Sequence, residues 1–269
     1  MRLAFKKLGS GSPIIILHGL YGSSDNWFNI GKILSQKHEV YLIDQRNHGR
    51  SPHSNDHTYQ GMVGDLLEFH EKHKLNKTIL IGHSMGGKTA MLFALYYPQK
   101  IKSLIIVDIS PKSYTGLTEY QSHSIEHLNI MKGFISVDLS QMKDRNEIDM
   151  AFSKFVPDNK TRYFLLKNIR RNADGNFSWI INIEALKKSL PLILNGIDFK
   201  KLNIDKELIS YPVLFVRGEK SNYILDEDIS LIHQIFPKAE LVTIFNAGHW
   251  LHAEQPELFL NSIRYFLEQ

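Results

Sequence analysis

Six short apolar runs, rich in isoleucine, valine and leucine, recur along the sequence, and glycine or proline commonly bounds them. None of the runs alternates apolar with polar residues. Continuous apolar runs of this length are typical of strands that are covered on both faces, as in a parallel sheet. The runs occupy residues 13–19, 39–46, 77–83, 103–110, 211–218 and 239–245.

Helix-like segments separate these runs, with apolar residues at intervals of three and four. The segments occupy residues 27–36, 59–75, 86–97 and 228–236. Pro98 and Pro237 end two of them. Strand alternating with helix predicts an α/β fold with a doubly wound, mostly parallel sheet. The N-terminal segment RLAFKKL, residues 2–8, is a candidate antiparallel edge strand.

The alternation stops between about residues 112 and 195. That stretch contains amphipathic helix patterns, such as the one at 119–134, but no run that resembles a core strand. The parallel-strand pattern resumes at Tyr211. We therefore predict one α/β core formed by residues 1–111 and 196–269, with residues 112–195 inserted as a helical cap.

Composition and charge exclude several classes of function. The 32 basic and 28 acidic residues give a net charge of +4, and they are interspersed. A nucleic-acid footprint is clustered, so no nucleic-acid partner is predicted. The chain has no cysteine, which excludes disulfides, thiolate metal sites and a cysteine nucleophile. Neither a long apolar span nor a secretory pattern is present, so we expect a cytoplasmic protein without membrane insertion.

Residues 82–86, Gly-His-Ser-Met-Gly, match the pattern G-x-S-x-G between a predicted strand and a predicted helix. This pattern describes a tight strand-to-helix turn that exposes a nucleophilic serine. The turn strains the serine backbone, and strand and helix can pass each other only where nearby side chains are hydrogens. Gly82, Gly86 and Gly87 supply those hydrogens. Ser84 is therefore the predicted nucleophile.

One histidine stands where the base for this serine is expected. A serine hydroxyl is a weak nucleophile that needs an adjacent base, and with this pattern the base follows the acid late in the chain. His249 comes just after the last apolar run, follows Gly248, which permits a turn, and precedes a helix expected near Pro256. We predict that His249 is the base.

Two backbone N–H groups are needed to bind the negative charge that develops on the substrate oxygen. Met85 should provide one, because it follows the serine at a helix N-terminus, where the helix dipole assists. The loop after the first apolar run should provide the other, which we assign to Leu20, with Tyr21 as the alternative. That loop contains neither G-x-G-x-x-G nor a Walker lysine spacing, so a phosphate-binding turn is not predicted.

The acid of the site is missing from its usual place, about three residues after Gly218. Ser221 stands there, and a serine cannot balance the charge of an imidazolium. Asp108 lies near the end of the apolar run 103–110, at the edge where open α/β sheets place their sites, and we predict that it is the acid. The nearby alternatives are Glu219, Asp226 and Asp228.

Together these motifs resemble the α/β-hydrolase superfamily, and within it the YbfF-like acyl esterases, a branch that includes mitochondrial abhydrolase-11-type proteins. The resemblance extends over nearly the whole chain. Its motifs are HGLYGSSDNW (18–27), DQRNHGRSP (44–52), GHSMGGKTA (82–90), VDISP (107–111), VRGEKSNYI (216–224) and NAGHWLHAEQP (246–256). The resemblance implies an α/β-hydrolase fold in which residues 112–195 form the helical cap.

The resemblance also implies a serine esterase that works through an acyl-enzyme. The catalytic set that it implies is Ser84, His249 and Asp108. Ser221 is expected to support the histidine by a hydrogen bond, and Gly19 and His83 are supporting residues of the site. No metal or organic cofactor is implied. The expected partner is a small acyl ester or thioester, and the oligomeric state, monomer or dimer, is left open.

Other polar and aromatic side chains receive non-catalytic interpretations. Arg46, Asn47 and His48 follow a strand end, where anchoring of a loop is favoured over a place in the pocket. Lys88 is expected at the surface or the rim. Aromatic residues of the cap are expected mainly in its core, with some as candidate walls of an acyl pocket. These aromatic residues are Phe134, Phe155, Tyr163 and Trp179.

Three other functions are compatible with parts of the pattern. A C–C hydrolase or elimination lyase, such as the menaquinone-pathway synthase, keeps the same triad, although that enzyme type generally prefers arginine where Lys88 stands. A haloalkane dehalogenase would carry aspartate in place of Ser84. A non-catalytic ligand receptor on this fold is disfavoured by the intact serine, aspartate and histidine.

Overall fold

A computed structural model of the chain describes residues 1–115, 121–198, 202 and 209–268. Within these ranges seven strands form a central sheet, and two short strands form a separate hairpin. The strands of the sheet are β1 (Phe5–Leu8), β2 (Ser12–Leu17), β3 (His38–Ile43), β4 (Thr78–His83), β5 (Ile101–Val107), β8 (Val213–Gly218) and β9 (Glu240–Ile244). The hairpin strands are β6 (Ile169–Arg171) and β7 (Phe177–Trp179).

The central sheet has the strand order β1-β3-β2-β4-β5-β8-β9. Every neighbouring pair from β3 to β9 is parallel, and only β1 runs antiparallel, against β3. Each of the six predicted runs overlaps one of the parallel strands, and β2, β3 and β5 begin one or two residues before their predicted runs. The predicted α/β fold class, with its mostly parallel sheet and N-terminal edge strand, is confirmed.

The strands read as continuous apolar runs because both faces of the sheet are covered. Successive side chains of a strand point to opposite faces. In β2, Ile14 and Ile16 belong to one apolar layer, whereas Ile15 and Leu17 belong to the other. All four are at most 1% exposed.

Ten helices accompany the strands in the described ranges. They are α1 (Phe28–Leu34), α2 (Tyr59–Lys72), α3 (Met85–Tyr96), α4 (Gln121–Ser136), α5 (Arg145–Ser153), α6 (Asn159–Leu165), α7 (Ile183–Leu194), α8 (Ile229–Ile235), α9 (Leu251–Glu254) and α10 (Pro256–Leu267). None of these helices has the length and the apolar character needed to cross a bilayer. The predicted helix pattern at 119–134 appears as α4, and its first two residues lie outside the described ranges.

Helices α4 to α7 and the β6–β7 hairpin lie in the chain between β5 and β8. Phe134 and Phe152 are buried in the interior of this unit, which we call the cap, and the ring of Trp179 packs against both. The hairpin strands span three residues each and do not join the central sheet. The described part of the cap therefore adds no strand to the core.

Lys88 on α3 connects the core to both ends of the cap. Its Nζ donates hydrogen bonds to the carbonyl oxygens of Lys112 (3.0 Å) and Asn195 (2.7 Å), and it lies 4.8 Å from the centre of the Tyr114 ring. The expectation that Lys88 lies at the surface or rim is wrong, because the side chain is only 1% exposed. Burial lowers the pKa of Lys88 to about 7.

Candidate active site

Ser84 occupies the turn between β4 and α3 with φ 52° and ψ −120°. A positive φ is uncommon for a residue other than glycine and marks a strained backbone. The flanking glycines allow this turn. A Cβ atom on Gly82 would collide with the carbonyl oxygen of Gly86, and one on Gly86 would collide with the carbonyl oxygen of Leu17. Larger residues at positions 82 and 86 would force the helix away from the sheet.

Asp108 and His249 are joined by a hydrogen bond between Oδ2 and Nδ1 at 2.8 Å. Asp108 directly follows β5, has φ 49° and is fully buried. His249 lies in the loop between β9 and α9 and is 18% exposed. Since Nδ1 is bound to Asp108, Nε2 is the ring nitrogen that remains for a substrate or for a serine hydroxyl.

Three groups donate hydrogen bonds to the Asp108 carboxylate: the Gly218 N–H at 3.0 Å, the Ser221 hydroxyl, and the His249 ring. Burial raises the pKa of Asp108 to about 7, and the bonds from Ser221 and Gly218 oppose that rise. Burial also lowers the pKa of His249 to about 3, with a smaller contribution from His123. The low pKa keeps the imidazole uncharged, which is the form that can accept a proton.

The alternative acids are all engaged elsewhere. Glu219 accepts a hydrogen bond from the N–H of Asn246 (2.8 Å). Asp226 pairs with Arg217 (2.6 Å), and it is 84% exposed. Asp228 pairs with the ammonium of Lys112 at 2.5 Å, near the start of the cap. The structure thus places Asp108, rather than any of these three, against the histidine ring.

Ser221 contacts Asp108 rather than the histidine directly. The expected support of His249 by a Ser221 hydrogen bond is therefore replaced by a bond to the shared carboxylate. The faces of the histidine ring are covered by other residues. Tyr223 stacks on it at 3.9 Å between ring centres, and the His83 ring lies 4.6 Å away. Several independent contacts thus fix the orientation of the imidazole.

The supporting residues Gly19 and His83 lie beside the serine. The Nε2 atom of His83 donates to the carbonyl oxygen of His249 at 2.9 Å, which ties the β9–α9 loop to the end of β4. A Cβ atom on Gly19 would lie 2.9 Å from Nδ1 of His83 and 3.1 Å from Cβ of Ser84. Glycine at position 19 thus allows the β2 loop to approach the serine closely.

Ser84 and His249 line the same cavity, which has a volume of about 80 Å³. No hydrogen bond joins the Ser84 hydroxyl to the imidazole among the contacts of the described residues. Catalytic hydrogen bonds often tighten only when a substrate is bound. Nor do three metal-ligating side chains cluster in the described part of the chain. The cavity is lined by Gly19, Leu20, Tyr21, His83, Ser84, Glu126, His127, Ile130, Thr161, Phe164, Leu165, Tyr223, His249 and Trp250.

The structure distinguishes the two candidate donors in the β2 loop. The N–H of Tyr21 donates to Nε2 of His48 at 3.1 Å, so it is already engaged. The N–H of Leu20 has no such bond among the described residues, and Leu20 lines the cavity. Met85 is the first residue of α3, where N–H groups have no partner within the helix. Leu20 and Met85 therefore remain the available donors.

The cap aromatics proposed as pocket walls do not line the cavity. Phe134 and Trp179 pack edge to face inside the cap, at 4.8 Å between ring centres. Phe155 is partly buried against the apolar core, and Tyr163 is 72% exposed. The core interpretation is correct for Phe134, Trp179 and Phe155, and the pocket interpretation is wrong for all four.

Sequence reasoning did not identify three of the aromatic side chains that do line the cavity. Phe164 comes from α6, Trp250 directly follows His249, and Tyr223 follows Ser221 by two residues. Trp250 and Tyr223 have a weak signal, namely their proximity to site residues along the chain. Phe164 has none, because its neighbour Tyr163 fits the same helical pattern and points to solvent.

The loop after β3 is an anchor, as the sequence suggests. Arg46 forms a buried ion pair with Asp65 on α2 (2.7 Å), and Asn47 is bound by the cap residue Asn182 (3.0 Å). His48 is fully buried. None of Arg46, Asn47 and His48 lines the cavity.

Comparison with known proteins identifies the family. A family model described as "alpha/beta hydrolase fold" matches residues 12–256. The chain belongs to the α/β-hydrolase family. Among solved structures, one titled "Marine microorganism esterase" superposes with a TM-score of 0.91 at 47% identity, over 98% of both chains.

Sequence similarity to individual proteins places the chain in the YbfF and ABHD11 branch of this α/β-hydrolase family. The chain is 36% identical to "sn-1-specific diacylglycerol lipase ABHD11" of Danio rerio, over 98% of this chain and 81% of that protein. It is 31% identical to "Esterase YbfF" of Escherichia coli K12, over 96% of this chain and 94% of that protein. These findings support carboxylic-ester hydrolysis as the activity.

Proposed function

We propose that this α/β-hydrolase cleaves carboxylic esters through an acyl-enzyme formed on Ser84, with His249 as base and Asp108 as its acidic partner. The observation that carries the proposal is the Asp108–His249 hydrogen bond of 2.8 Å, which leaves Nε2 available in the cavity that Ser84 also lines. This is the arrangement of nucleophile, base and orienting carboxylate that acyl transfer requires.

The reaction proceeds in two halves. As the Ser84 hydroxyl oxygen attacks the ester carbonyl carbon, Nε2 of His249 takes its proton. The carboxylate of Asp108 holds the ring through Nδ1 and stabilises the imidazolium. The same proton then passes to the alcohol oxygen as the C–O bond breaks, which leaves the acyl group on Ser84. In the second half, His249 takes a proton from water as the water oxygen attacks the acyl carbon. It then passes that proton to the Ser84 oxygen as the bond to the acyl group breaks, which releases the carboxylic acid and restores the serine.

Each half passes through a tetrahedral intermediate whose oxygen carries a negative charge. The N–H groups of Leu20 and Met85 are the proposed donors to that oxygen. Leu20 lines the cavity, Met85 directly follows Ser84, and neither N–H is engaged by another of the described residues. Tyr21 is excluded from this role by its bond to His48.

The dimensions of the cavity favour a short acyl group. A cavity of about 150 Å³ holds benzene, so the 80 Å³ found here suits roughly two to four carbons. The apolar side chains of Leu20, Ile130, Phe164 and Leu165 would surround the carbons. We propose small acyl esters, and secondarily thioesters, as substrates, acted on in the cytoplasm.

The test is a chain-length series of p-nitrophenyl esters and acyl thioesters, assayed with wild type and Ser84→Ala. Wild type should be most active on the short esters, and Ser84→Ala should lose at least about 10³-fold in kcat. Ser103→Ala is the matched control, because Ser103 is also 8% exposed but lies near the opposite end of the sheet. Retained activity in Ser84→Ala would contradict the proposal.

A further inference from the structure

Tyr21 directly follows the proposed oxyanion donor Leu20 in the loop after β2, and its backbone conformation is unusual. It has φ 62°, in the left-handed region that residues other than glycine rarely adopt. Such a conformation persists only when the surrounding contacts enforce it. The Leu20 N–H lies in the Gly19–Leu20 peptide plane, and the Gly19 carbonyl oxygen of that plane accepts a hydrogen bond from the Gly22 N–H at 3.0 Å. Because the Gly22 N–H shares its own peptide plane with the Tyr21 carbonyl, the contacts that fix Tyr21 also limit the direction of the Leu20 N–H.

The first contact comes from the core. The Tyr21 N–H donates to Nε2 of His48 at 3.1 Å, and Nδ1 of the same ring donates to the carbonyl oxygen of Arg46 at 2.9 Å. His48 is fully buried, and burial holds the pKa of its ring well below the ordinary value. The neutral ring therefore has one tautomer that satisfies both bonds, with the proton on Nδ1.

The second contact comes from the cap. The side-chain amide of Asn168 donates to the carbonyl oxygen of Tyr21 at 2.7 Å, and its other hydrogen goes to the carbonyl oxygen of Leu165 at 3.0 Å. Asn168 is 2% exposed. The backbone carbonyl oxygen of Asn168 accepts from the N–H of Ile180 at 2.9 Å, so the residue is built into the base of the β6–β7 hairpin.

Tyr21 is thus held on both sides of its α-carbon, by His48 from the core at the N–H and by Asn168 from the cap at the C=O. The turn is closed by a bond from the Gly22 N–H to the carbonyl oxygen of Gly19 at 3.0 Å. Without the bond from Asn168, the carbonyl of Tyr21 would be buried without that partner, and the loop could relax from the left-handed conformation.

We propose that Asn168 is a positioning residue of the cap that orients the oxyanion-hole loop through Tyr21. The inference rests on the proposed function, since it presumes that Leu20 donates to the oxyanion. It gives the cap a part in the chemical step, in addition to enclosing the substrate. Asn168 acts through Tyr21 and does not line the cavity.

The test compares Asn168→Asp with Asn182→Asp. Asn168→Asp keeps the size of the side chain but replaces the amide donor by an oxygen that repels the Tyr21 carbonyl. We expect kcat to fall about 10- to 100-fold. The larger figure equals the smallest loss that is typical when an oxyanion donor is removed, about 100-fold. KM should change less than about threefold, because the cavity walls stay in place.

Asn182→Asp is the matched control, since Asn182 also joins cap and core. Its amide donates to Oδ1 of Asn47 at 3.0 Å, whereas its oxygen accepts from the N–H of Ala185, and an aspartate keeps that second bond. We expect kcat within twofold of wild type. Thermal unfolding of both variants separates lost stability from lost catalysis, and if Asn168→Asp melts below the assay temperature, Asn168→Ala takes its place in the comparison.

Inhibition by a trifluoromethyl ketone supplies a readout that loss of stability would not move. Its adduct with Ser84 carries an oxyanion, so its affinity should fall in parallel with kcat in Asn168→Asp and stay unchanged in Asn182→Asp. Equal kcat and equal ketone affinity in the two variants, or a change in KM alone, would overturn the inference. If Ser84→Ala is inactive while Asn168→Asp is normal, only the role of Asn168 is wrong. If Ser84→Ala is active, the proposed function fails.

Discussion

The two walls of the cavity are built differently. On the core side, Tyr21 and Ser84, which line the cavity, and Asp108, which binds the lining residue His249, have positive φ values of 62°, 52° and 49°. On the cap side, the lining residues come from α4 and α6 or their termini, and Gly175 is the only described cap residue with a positive φ. Strained backbone concentrates where strand ends must aim reactive atoms. Regular helices are sufficient to supply a wall.

This difference predicts a division of labour between the two walls. Substitutions at the strand ends should lower kcat, because they disturb atoms that take part in bond making and proton transfer. Substitutions on the cap wall should alter which acyl group fits. Asn168 is the proposed exception, since it reaches across from the cap to Tyr21. Four substitutions test the division, from the largest expected effect to the smallest.

Asp108→Asn should lower kcat by about 10³- to 10⁴-fold, since an amide cannot stabilise the imidazolium and favours the wrong histidine tautomer. Glu219→Gln is the control, because it makes the same chemical change and its amide oxygen can still accept from the N–H of Asn246. The measurement is kcat on a short p-nitrophenyl ester. Similar losses in both variants would contradict the assignment of the acid.

Lys88→Met tests the charge state of the buried lysine that binds the carbonyl oxygens of Lys112 and Asn195 at the two ends of the cap. The folded-state pKa of Lys88 is about 7, below its ordinary value of 10.5, so the unfolded chain binds more protons between those values. The free energy of unfolding of wild type should therefore rise with pH relative to Lys88→Met, by about 2 kcal/mol between pH 7 and 9.

Denaturant unfolding at pH 7, 8 and 9 measures that difference. The exposed lysine Lys154 provides a matched substitution, Lys154→Met, which is measured alongside. If the difference between wild type and Lys88→Met is flat, or falls with pH, the folded chain holds Lys88 with an ordinary charge.

Ile130→Ala should shift the acyl preference of the enzyme. Ile130 is 4% exposed and lines the cavity from α4, so truncation makes room for a longer chain. The ratio of kcat/KM for hexanoate to that for acetate should rise about tenfold. Ile125→Ala, on the same helix but 54% exposed, should leave the ratio unchanged. An unchanged ratio in Ile130→Ala would place the acyl group elsewhere.

Ser221→Ala should shift the pH profile by about one pH unit or less. The Ser221 hydrogen bond lowers the pKa of Asp108, so removing it raises that pKa. The active form of the enzyme requires the Asp108–His249 pair to have lost its proton, and this ionisation belongs to the pair as a unit. The acid limb of kcat/KM should therefore move to higher pH. Movement to lower pH would contradict the role given to Ser221.

The sequence predicts the core wall well because its determinants are local. The apolar runs predict the parallel strands. The glycines of the strand-to-helix turn, Gly82 and Gly86, each lie two residues from Ser84. Asp108 is predicted as the acid because Ser221 cannot take that role and because the chain resembles a known branch.

The cap wall was predicted poorly because its determinants are distant in sequence. A helical period shows that a helix has an apolar face, but not whether that face meets the cap interior or the cavity, as Phe134 and Phe164 illustrate. The burial of Lys88 depends on the carbonyls of Lys112 and Asn195, the latter 107 residues away. The bond from Asn168 to Tyr21 spans 147 residues, and no local pattern signals it.

The most direct test of the central claim is labelling with a fluorophosphonate, followed by intact mass measurement and peptide mapping. Such a probe phosphonylates only a serine that a base activates. We predict one adduct per chain on Ser84 in wild type, much slower labelling in His249→Ala, and none in Ser84→Ala. An adduct on another residue, or labelling of Ser84 at the same rate without His249, would contradict the account.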